Sequence, residues 1–268
     1  MQNLYPIQTG FEKLDEITGG LFPGEITVIG SIPSGGKTTF LLSLIKRMIY
    51  ESGTSVLLYT TGKPKENIYD NLISLLSGIS YVKVRNSRLH FSQDHWLLDK
   101  NETLVVEKLE REVRDLPLII NDAEEVNINQ LYEEARKLYN EEAVKVIFVD
   151  NLYLLCKEEN DQLPEAQYFE IIEKIKQLAQ ELNVPIVITG QISYKAKQDP
   201  PHLEHINHLQ EIDKFSDVII LLNSARIKEN YESYPVQAIV AKNSRGDTGT
   251  INCLYYPRIQ AFEFSEYL

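Results

Sequence analysis

The stretch from Ser31 to Thr38 reads Ser-Ile-Pro-Ser-Gly-Gly-Lys-Thr, which is the spacing of a phosphate-binding loop. Glycines let backbone N–H groups approach a polyphosphate, and the amino end of a following helix attracts negative charge. Lys37 would reach the β- and γ-phosphates, and the Thr38 hydroxyl would be a ligand of Mg²⁺. The residues expected to bind the nucleotide are Ser34, Gly35, Gly36, Lys37, Thr38 and Thr39.

The first position of this loop departs from the usual pattern, because Ser31 stands where glycine is common. We interpret the departure as tolerable, since Gly35, Gly36 and Lys37 would make the close approach to phosphate. An ordinary glycine-rich turn is the alternative. The apolar, β-branched segment 26–29 before the loop predicts a strand and segment 40–45 predicts a helix, so the context favours a phosphate site.

Two further polar residues end predicted strands. The apolar run Val146-Ile147-Phe148-Val149 is followed by Asp150, as in the Walker B strand whose aspartate holds Mg²⁺, often through water. Gln191 ends the next predicted strand, where a glutamine can report the state of the γ-phosphate to a neighbouring loop. The alternative for Gln191 is an ordinary polar strand end.

A histidine run lies further along the chain at His202, His205 and His208, with Glu204 between them. Neutral imidazoles at this spacing could bind Zn²⁺ or a similar ion. A spacing of three drifts across a helix face, and no cysteine is near, so we favour a polar loop over a metal site.

The composition of the chain excludes several classes of protein. The chain has 268 residues, 43% of them apolar, and a net charge of −12, which argues against a broadly basic nucleic-acid surface. A local basic loop, or a ring with a positive channel, stays open. The sequence contains no apolar stretch approaching 18 residues and no signal peptide, and its two cysteines do not form a disulfide framework. We therefore expect a cytoplasmic protein without a membrane partner.

Strand-like and helix-like segments alternate along the chain, which predicts an α/β fold with a mostly parallel, twisted sheet flanked by helices. A C-terminal β-hairpin over 251–264 should close one edge of the sheet. No linker is visible, so residues 1–268 are expected to form one domain. Strands are predicted at 26–29, 55–60, 118–120, 145–150, 185–189, 218–222 and 236–241, and helices at 40–45, 66–76, 128–139 and 168–182.

The order of several short blocks resembles the C-terminal motor domain of the DnaB replicative helicases, within the RecA-like P-loop ATPases. The resemblance covers nearly the whole chain, while the separate N-terminal helical domain of that family has no counterpart in this sequence. The blocks that carry it are Thr9–Asp15, Gly19–Glu25, Pro33–Thr39, Val149–Leu155, Leu182–Val187, Gln191–Ser193, Asp217–Ile219 and Lys242–Gly249.

The resemblance implies an ATP- and Mg²⁺-dependent motor that forms a homo-oligomeric ring, usually of six subunits. Single-stranded DNA would pass through its centre, and other replication proteins are possible partners. Lys242 and Arg245 would contact the γ-phosphate of the neighbouring subunit, and such a charge strongly stabilises phosphoryl transfer. Arg245 lies one position beyond the family's Lys-x-Arg spacing, where Ser244 falls instead, so a solvent-exposed turn residue remains its alternative.

Two departures concern catalysis and DNA binding. Gly62 stands where the family carries the glutamate that activates water, with Lys63 beside it and Glu66 one helical turn onward. Loss of such a base costs orders of magnitude in rate, so ATP binding is a safer expectation than fast hydrolysis. The acid–Leu–Arg–Glu–Ser–Gly run that faces DNA in the family is replaced by 205–210, which leaves Lys195 and Lys197 as candidate phosphate contacts. A solvated pair of loop lysines is the alternative.

These features leave three hypotheses. The first is a DnaB-like helicase domain that couples ATP binding and hydrolysis to movement on single-stranded DNA in replication. The second is a catalytically weakened, ATP-binding relative that acts as a regulatory or loader-type subunit, which the Gly62 position and the acidic charge favour. The third is a RecA-like recombination or repair ATPase.

Overall fold

The computed structural model describes residues 5–60, 63–89, 97–123, 126–155, 165–193, 200–206, 208–224 and 232–264. Within these residues, nine strands form one sheet in the order β3-β2-β4-β5-β1-β6-β7-β8-β9. The strands are β1 (Ile26–Ser31), β2 (Val56–Thr60), β3 (Leu118–Asn121), β4 (Val146–Asp150), β5 (Ile186–Gln191), β6 (Val218–Ser224), β7 (Tyr234–Asn243), β8 (Gly249–Tyr256) and β9 (Ala261–Phe264).

The sheet is parallel over most of its width and antiparallel at one side. Strands β3, β2, β4, β5, β1 and β6 pair in parallel, whereas β7, β8 and β9 continue the sheet as antiparallel neighbours. The β8–β9 hairpin forms the outer edge. The predicted α/β class, the mostly parallel sheet and the C-terminal hairpin are confirmed.

Helices cover both faces of the sheet. Helices α2 to α5 contribute buried residues to one hydrophobic core, and α6 to α8 contribute to the other. None of the helices in the described part of the chain has both the length and the apolar character needed to span a bilayer. The helices are α1 (Glu12–Thr18), α2 (Lys37–Ser52), α3 (Lys65–Ser77), α4 (Tyr81–Leu89), α5 (Lys100–Arg114), α6 (Ile128–Glu142), α7 (Glu165–Leu182) and α8 (Leu209–Phe215).

The central strands are buried on both faces, which explains their continuous apolar sequences. In β1, Ile29 packs into the core under α2, while Ile26 and Val28 point into the opposite core. Strand β2 divides in the same way, with Leu58 on one side and Tyr59 on the other. Because successive side chains alternate between faces, each strand packs against helices on both sides. The polar residues lie at the carboxyl ends of these strands, where α/β sheets bind ligands.

The sequence patterns did not predict four of the helices, α1, α4, α5 and α8. Helix α5 is the longest of these, and its signal is a capping box: the Asp99 side chain accepts from the backbone N–H of Glu102, whose side chain accepts from the backbone N–H of Asp99. Most α5 positions are charged, and only Val106 and Val113 are fully buried, so its apolar stripe is narrow. The Asp-x-x-Glu spacing was the feature that could have located the helix.

Candidate functional site

The phosphate loop joins the carboxyl end of β1 to the amino end of α2. Gly36 has φ 90°, and a Cβ there would come within 2.9 Å of the Phe262 ring. Gly35 is equally confined, because a Cβ on it would lie 2.6 Å from Ser31 Oγ. Glycine is therefore required at both positions, and the first backbone N–H groups of α2 face the loop without helical partners. The loop therefore has backbone geometry that suits a phosphate cradle.

Ser31 occupies the position where glycine is usual, and its side chain is accommodated in a buried hydrogen-bond network. The hydroxyl donates to the Ile32 carbonyl at 2.9 Å and accepts from Lys37 Nζ at 3.3 Å. Lys37 Nζ also donates to the carbonyl oxygens of Ser31 and Ile32, at 3.2 and 3.4 Å. The serine therefore partners the loop lysine and fills the space that Gly35 leaves open.

Lys37 is held in a poorly solvated position. Burial lowers its pKa to about 8, the carboxylate of Asp150 partly offsets this, and the charge of Lys63 lowers it further. An anion bound in the loop would restore the charged form, because an opposite charge within a few ångströms favours the ammonium.

Asp150, the last residue of β4, lies beside the loop. Its Oδ2 accepts from the Thr38 hydroxyl at 2.6 Å, and its Oδ1 accepts from the Thr189 hydroxyl of β5, also at 2.6 Å. The side chain is 7% exposed, so these two bonds satisfy a carboxylate that has lost most of its hydration. A hydroxyl and a carboxylate are the hard oxygen donors that Mg²⁺ prefers. Thr38 and Asp150 therefore fit the role of metal ligands.

An open cleft of about 330 Å³ lies over the phosphate loop. Its walls include Tyr255 and Gln260, which belong to the β8–β9 hairpin. Burial raises the pKa of Tyr255, against the smaller effect of a hydrogen bond with Thr39, so its hydroxyl stays protonated at neutral pH. The described lining residues are Ser34, Gly35, Gly36, Lys37, Thr38, Thr39, Lys63, Tyr255 and Gln260.

Lys63 enters the same cleft from the segment between β2 and α3. Its Nζ donates to Thr38 Oγ1 at 2.8 Å, and Thr38 in turn donates to Asp150. The ammonium, the hydroxyl and the carboxylate therefore form one chain of hydrogen bonds across the cleft floor. The motif pattern did not assign Lys63 to the site, because nothing in the phosphate-loop spacing specifies that segment.

Gln191 lies at the same edge of the sheet as the loop. It is the last residue of β5 and pairs in register with Ser31 of β1, and its side chain is half-buried. The described residues that line the cleft do not include it. Thr189, two positions earlier on the same face of β5, is the residue that contacts Asp150. Sequence reasoning missed Thr189, although its alternation with Gln191 was a usable signal.

The profile of the family described as "DnaB-like helicase C terminal domain" matches residues 6–264. The chain belongs to this family. The match spans the phosphate loop, Asp150, Gln191 and the final hairpin, in agreement with the resemblance found in the sequence.

Curated relatives of the DnaB type are similar at low identity. Replicative DNA helicase DnaB of Treponema pallidum (strain Nichols) is 28% identical over 249 residues, which is 93% of this chain and 54% of the relative. The DnaB helicase of Mycoplasma pneumoniae is 25% identical over 280 residues, covering 97% and 57%. A probable plasmid replicative DNA helicase of Chlamydia psittaci is 26% identical, covering 90% and 51%. The chain spans about half the length of these relatives.

Solved structures show the same fold. One solved ATPase domain superposes with a TM-score of 0.83 at 23% identity, covering 99% of this chain and 93% of the other. A DnaB-like replicative helicase, reported with its interactions with primase, also has a TM-score of 0.83, at 22% identity, with 98% and 63% covered. The fold is therefore that of the RecA-like DnaB ATPase domains.

The two cations that the DnaB resemblance assigns to a neighbouring subunit's site are each paired with an acid of this chain. Lys242, in β7, forms an ion pair with Asp213 of α8 at 3.0 Å. Arg245, in the turn after β7, forms an ion pair with Glu25 and lies over the Phe22 ring, 3.8 Å from its centroid. Neither is among the described residues that line the cleft.

Several sequence predictions for this DnaB-type domain fall outside the described residues or remain predictions. Gly62, Lys195 and Lys197 lie outside them. His208 stacks on Tyr168 with centroids 4.0 Å apart, whereas His202 and His205 stack on each other at 5.8 Å. Within the described residues, no group of three histidine, cysteine or acidic side chains is placed to hold a metal.

Proposed function

We propose that this chain is the ATP-binding motor domain of a DnaB-like helicase, which couples ATP binding and hydrolysis to movement on single-stranded DNA in DNA replication. The observation that carries the proposal is the meeting of Lys37, Thr38 and Asp150 in a chain of the DnaB-like family. The single continuous sheet supports one ATPase domain over the described residues.

Each site residue has a role in this proposal. The backbone of Ser34, Gly35, Gly36 and Thr39 would cradle the phosphates, and Lys37 would neutralise the β- and γ-phosphates. Thr38 and Asp150 would hold Mg²⁺, which when bound neutralises charge on the phosphate oxygens. Gln191, at the edge shared with Ser31, would report γ-phosphate state to the loop that follows β5.

We further propose a homo-oligomeric ring in which Lys242 and Arg245 act on the ATP of the adjacent subunit. Their location outside their own cleft supports this, because a residue that serves a neighbour need not reach its own nucleotide. The ion pairs with Asp213 and Glu25 would fix their positions before assembly. Single-stranded DNA and replication proteins would be the partners of such a ring.

ATP turnover by the purified protein, with and without single-stranded DNA, tests the motor proposal. Lys37→Ala supplies the blank because it removes the loop cation. Turnover that DNA stimulates, and that this variant abolishes, is the expected result. Turnover equal in wild type and Lys37→Ala would contradict the assignment of the site.

A second candidate function, a nucleotide-gated subunit with weak hydrolysis, is favoured by Lys63. Lys63 contacts Thr38. The sequence has Gly62 where the family carries the water-activating glutamate, so this position supplies no carboxylate. ATP binding without turnover would support this candidate. Under it, Gly62→Glu should raise turnover by about a hundredfold or more, as a positioned general base does. Gly62→Gln is the matched control, because it adds similar bulk without a base, and an equal rise in both variants would contradict the explanation.

A further inference from the structure

Lys63 is a second cation in the cleft, outside the phosphate-loop motif. Its Nζ lies 2.8 Å from Thr38 Oγ1, and it is one of the described lining residues together with Lys37. Lys65, two positions onward, is not among them. The placement is therefore specific to Lys63 rather than a general property of a basic segment.

The described lining of the cleft carries an excess of positive charge, which favours an anionic ligand. Lys37 and Lys63 are the charged residues among the described lining residues, and Asp150 lies behind Thr38 as the carboxylate of the hydrogen-bond chain. Lys63 is close enough to Lys37 to lower the pKa of that group. Two like charges brought together in a cleft favour binding of a negative ligand, which reduces their repulsion.

The contact with Thr38 shows what Lys63 would do when phosphate enters. Thr38 Oγ1 accepts a hydrogen bond from Lys63 and donates one to Asp150. In the proposed site this oxygen is a ligand of Mg²⁺, so Lys63 lies where the metal and the terminal phosphates would meet the loop. Lys63 is exposed, and its stem is flexible, so the ammonium can move from Thr38 to a phosphate oxygen without a change in the fold.

We propose that Lys63 is a second phosphate-binding residue of this site, donating to the terminal phosphate oxygens of a nucleoside triphosphate. It supplies part of the positive charge that a divalent cation supplies, so that nucleotide binding persists when the cation is removed. This inference rests on the proposed nucleotide-binding function and adds a residue to it.

Calorimetric titration of ATP into wild type and three variants tests the inference, once in Mg²⁺ and once in EDTA. Lys63→Met removes the charge and keeps the side chain's length, Lys63→Arg keeps the charge, and Lys65→Met makes the same charge change nearby. In EDTA, Lys63→Met should weaken ATP binding by about tenfold, the effect of losing one charge-assisted hydrogen bond. In Mg²⁺ the loss should be smaller, and Lys63→Arg and Lys65→Met should bind as wild type does.

The outcomes separate this inference from the function on which it rests. Equal affinity of Lys63→Met and Lys65→Met in EDTA, with wild type binding ATP, overturns the role of Lys63 and leaves the nucleotide site intact. Equal losses in EDTA and in Mg²⁺ overturn the statement that Lys63 supplies part of the cation's charge, and leave Lys63 as a phosphate contact. Failure of wild type to bind ATP under both conditions overturns the proposed function together with the inference. Thermal unfolding of each variant checks that an affinity change does not come from misfolding.

Discussion

The phosphate loop and the end of β7 with its following turn both carry cations, but they hold them in different ways. Lys37 is buried, bonds to backbone carbonyls of its own loop, and has a pKa lowered to about 8. Lys242 and Arg245 are partly exposed, and each is paired with an acid of its own chain, Asp213 or Glu25. The first region brings its polar groups together within one chain. The second positions charge at the surface, where a neighbouring subunit could use it.

The largest expected effect distinguishes the end of β7 from the phosphate loop. Lys242→Ala should lower ATP turnover by about a thousandfold, which is the scale of a cation supplied across an interface, and should leave ATP affinity unchanged. Asp213→Asn is the matched control, because it breaks the same ion pair and keeps Lys242. Turnover assays and titrations on both variants make the measurement. Equal turnover in the two variants would show that Lys242 has a structural role only.

The next effect concerns the loop itself. Lys37→Ala should weaken ATP binding by about a hundredfold, because the phosphates lose a charge-assisted partner that is poorly solvated. Calorimetric titration measures the change, and Lys65→Ala is the control for loss of one positive charge. An affinity that stays near the wild-type value would exclude Lys37 from phosphate binding.

The strained glycine of the loop gives a stability test. Gly36→Ala should lower the free energy of unfolding by about 3 kcal/mol, because alanine at φ 90° is strained and its Cβ meets Phe262. Gly53→Ala is the control, with φ 61° and open space around its Cβ, and should cost about 1 kcal/mol. Urea unfolding compares them. The same loss in both variants would mean that Phe262 moves aside freely.

The smallest effect is a pH dependence. Below about pH 8, Lys37 is charged in the free protein, and above it the lysine must take up a proton to bind phosphate. ATP affinity should therefore fall as pH rises above 8, by up to about tenfold per pH unit. Titrations at pH 7 and 9, in buffers of different ionisation enthalpy, measure both the affinity and the proton uptake. Equal affinities without uptake would contradict the coupling.

The predictability of the molecule differs between its parts. Two strands were predictable: β1, which precedes the phosphate loop, and β4, which ends at Asp150. Strands buried on both faces need continuous apolar residues, and both sequences show them. Helix α5 was not predicted, since only Val106 and Val113 are fully buried along its charged surface. The nucleotide motif was likewise predictable from spacing. The contact of Thr189 with Asp150 and that of Lys63 with Thr38 were not predictable, because each joins residues far apart in the chain.

By itself, the sequence determined the α/β class, the phosphate loop and the position of Asp150, because strand burial and glycine conformation are local requirements that residue types record. Only the tertiary structure decided that Ser31 supports Lys37, that Lys63 reaches Thr38, and that Lys242 and Arg245 are paired within their own chain. The Ser31 contact depends on the three-dimensional path of the loop, and the others depend on how separate strands, helices and loops are brought together. No local pattern specifies that arrangement.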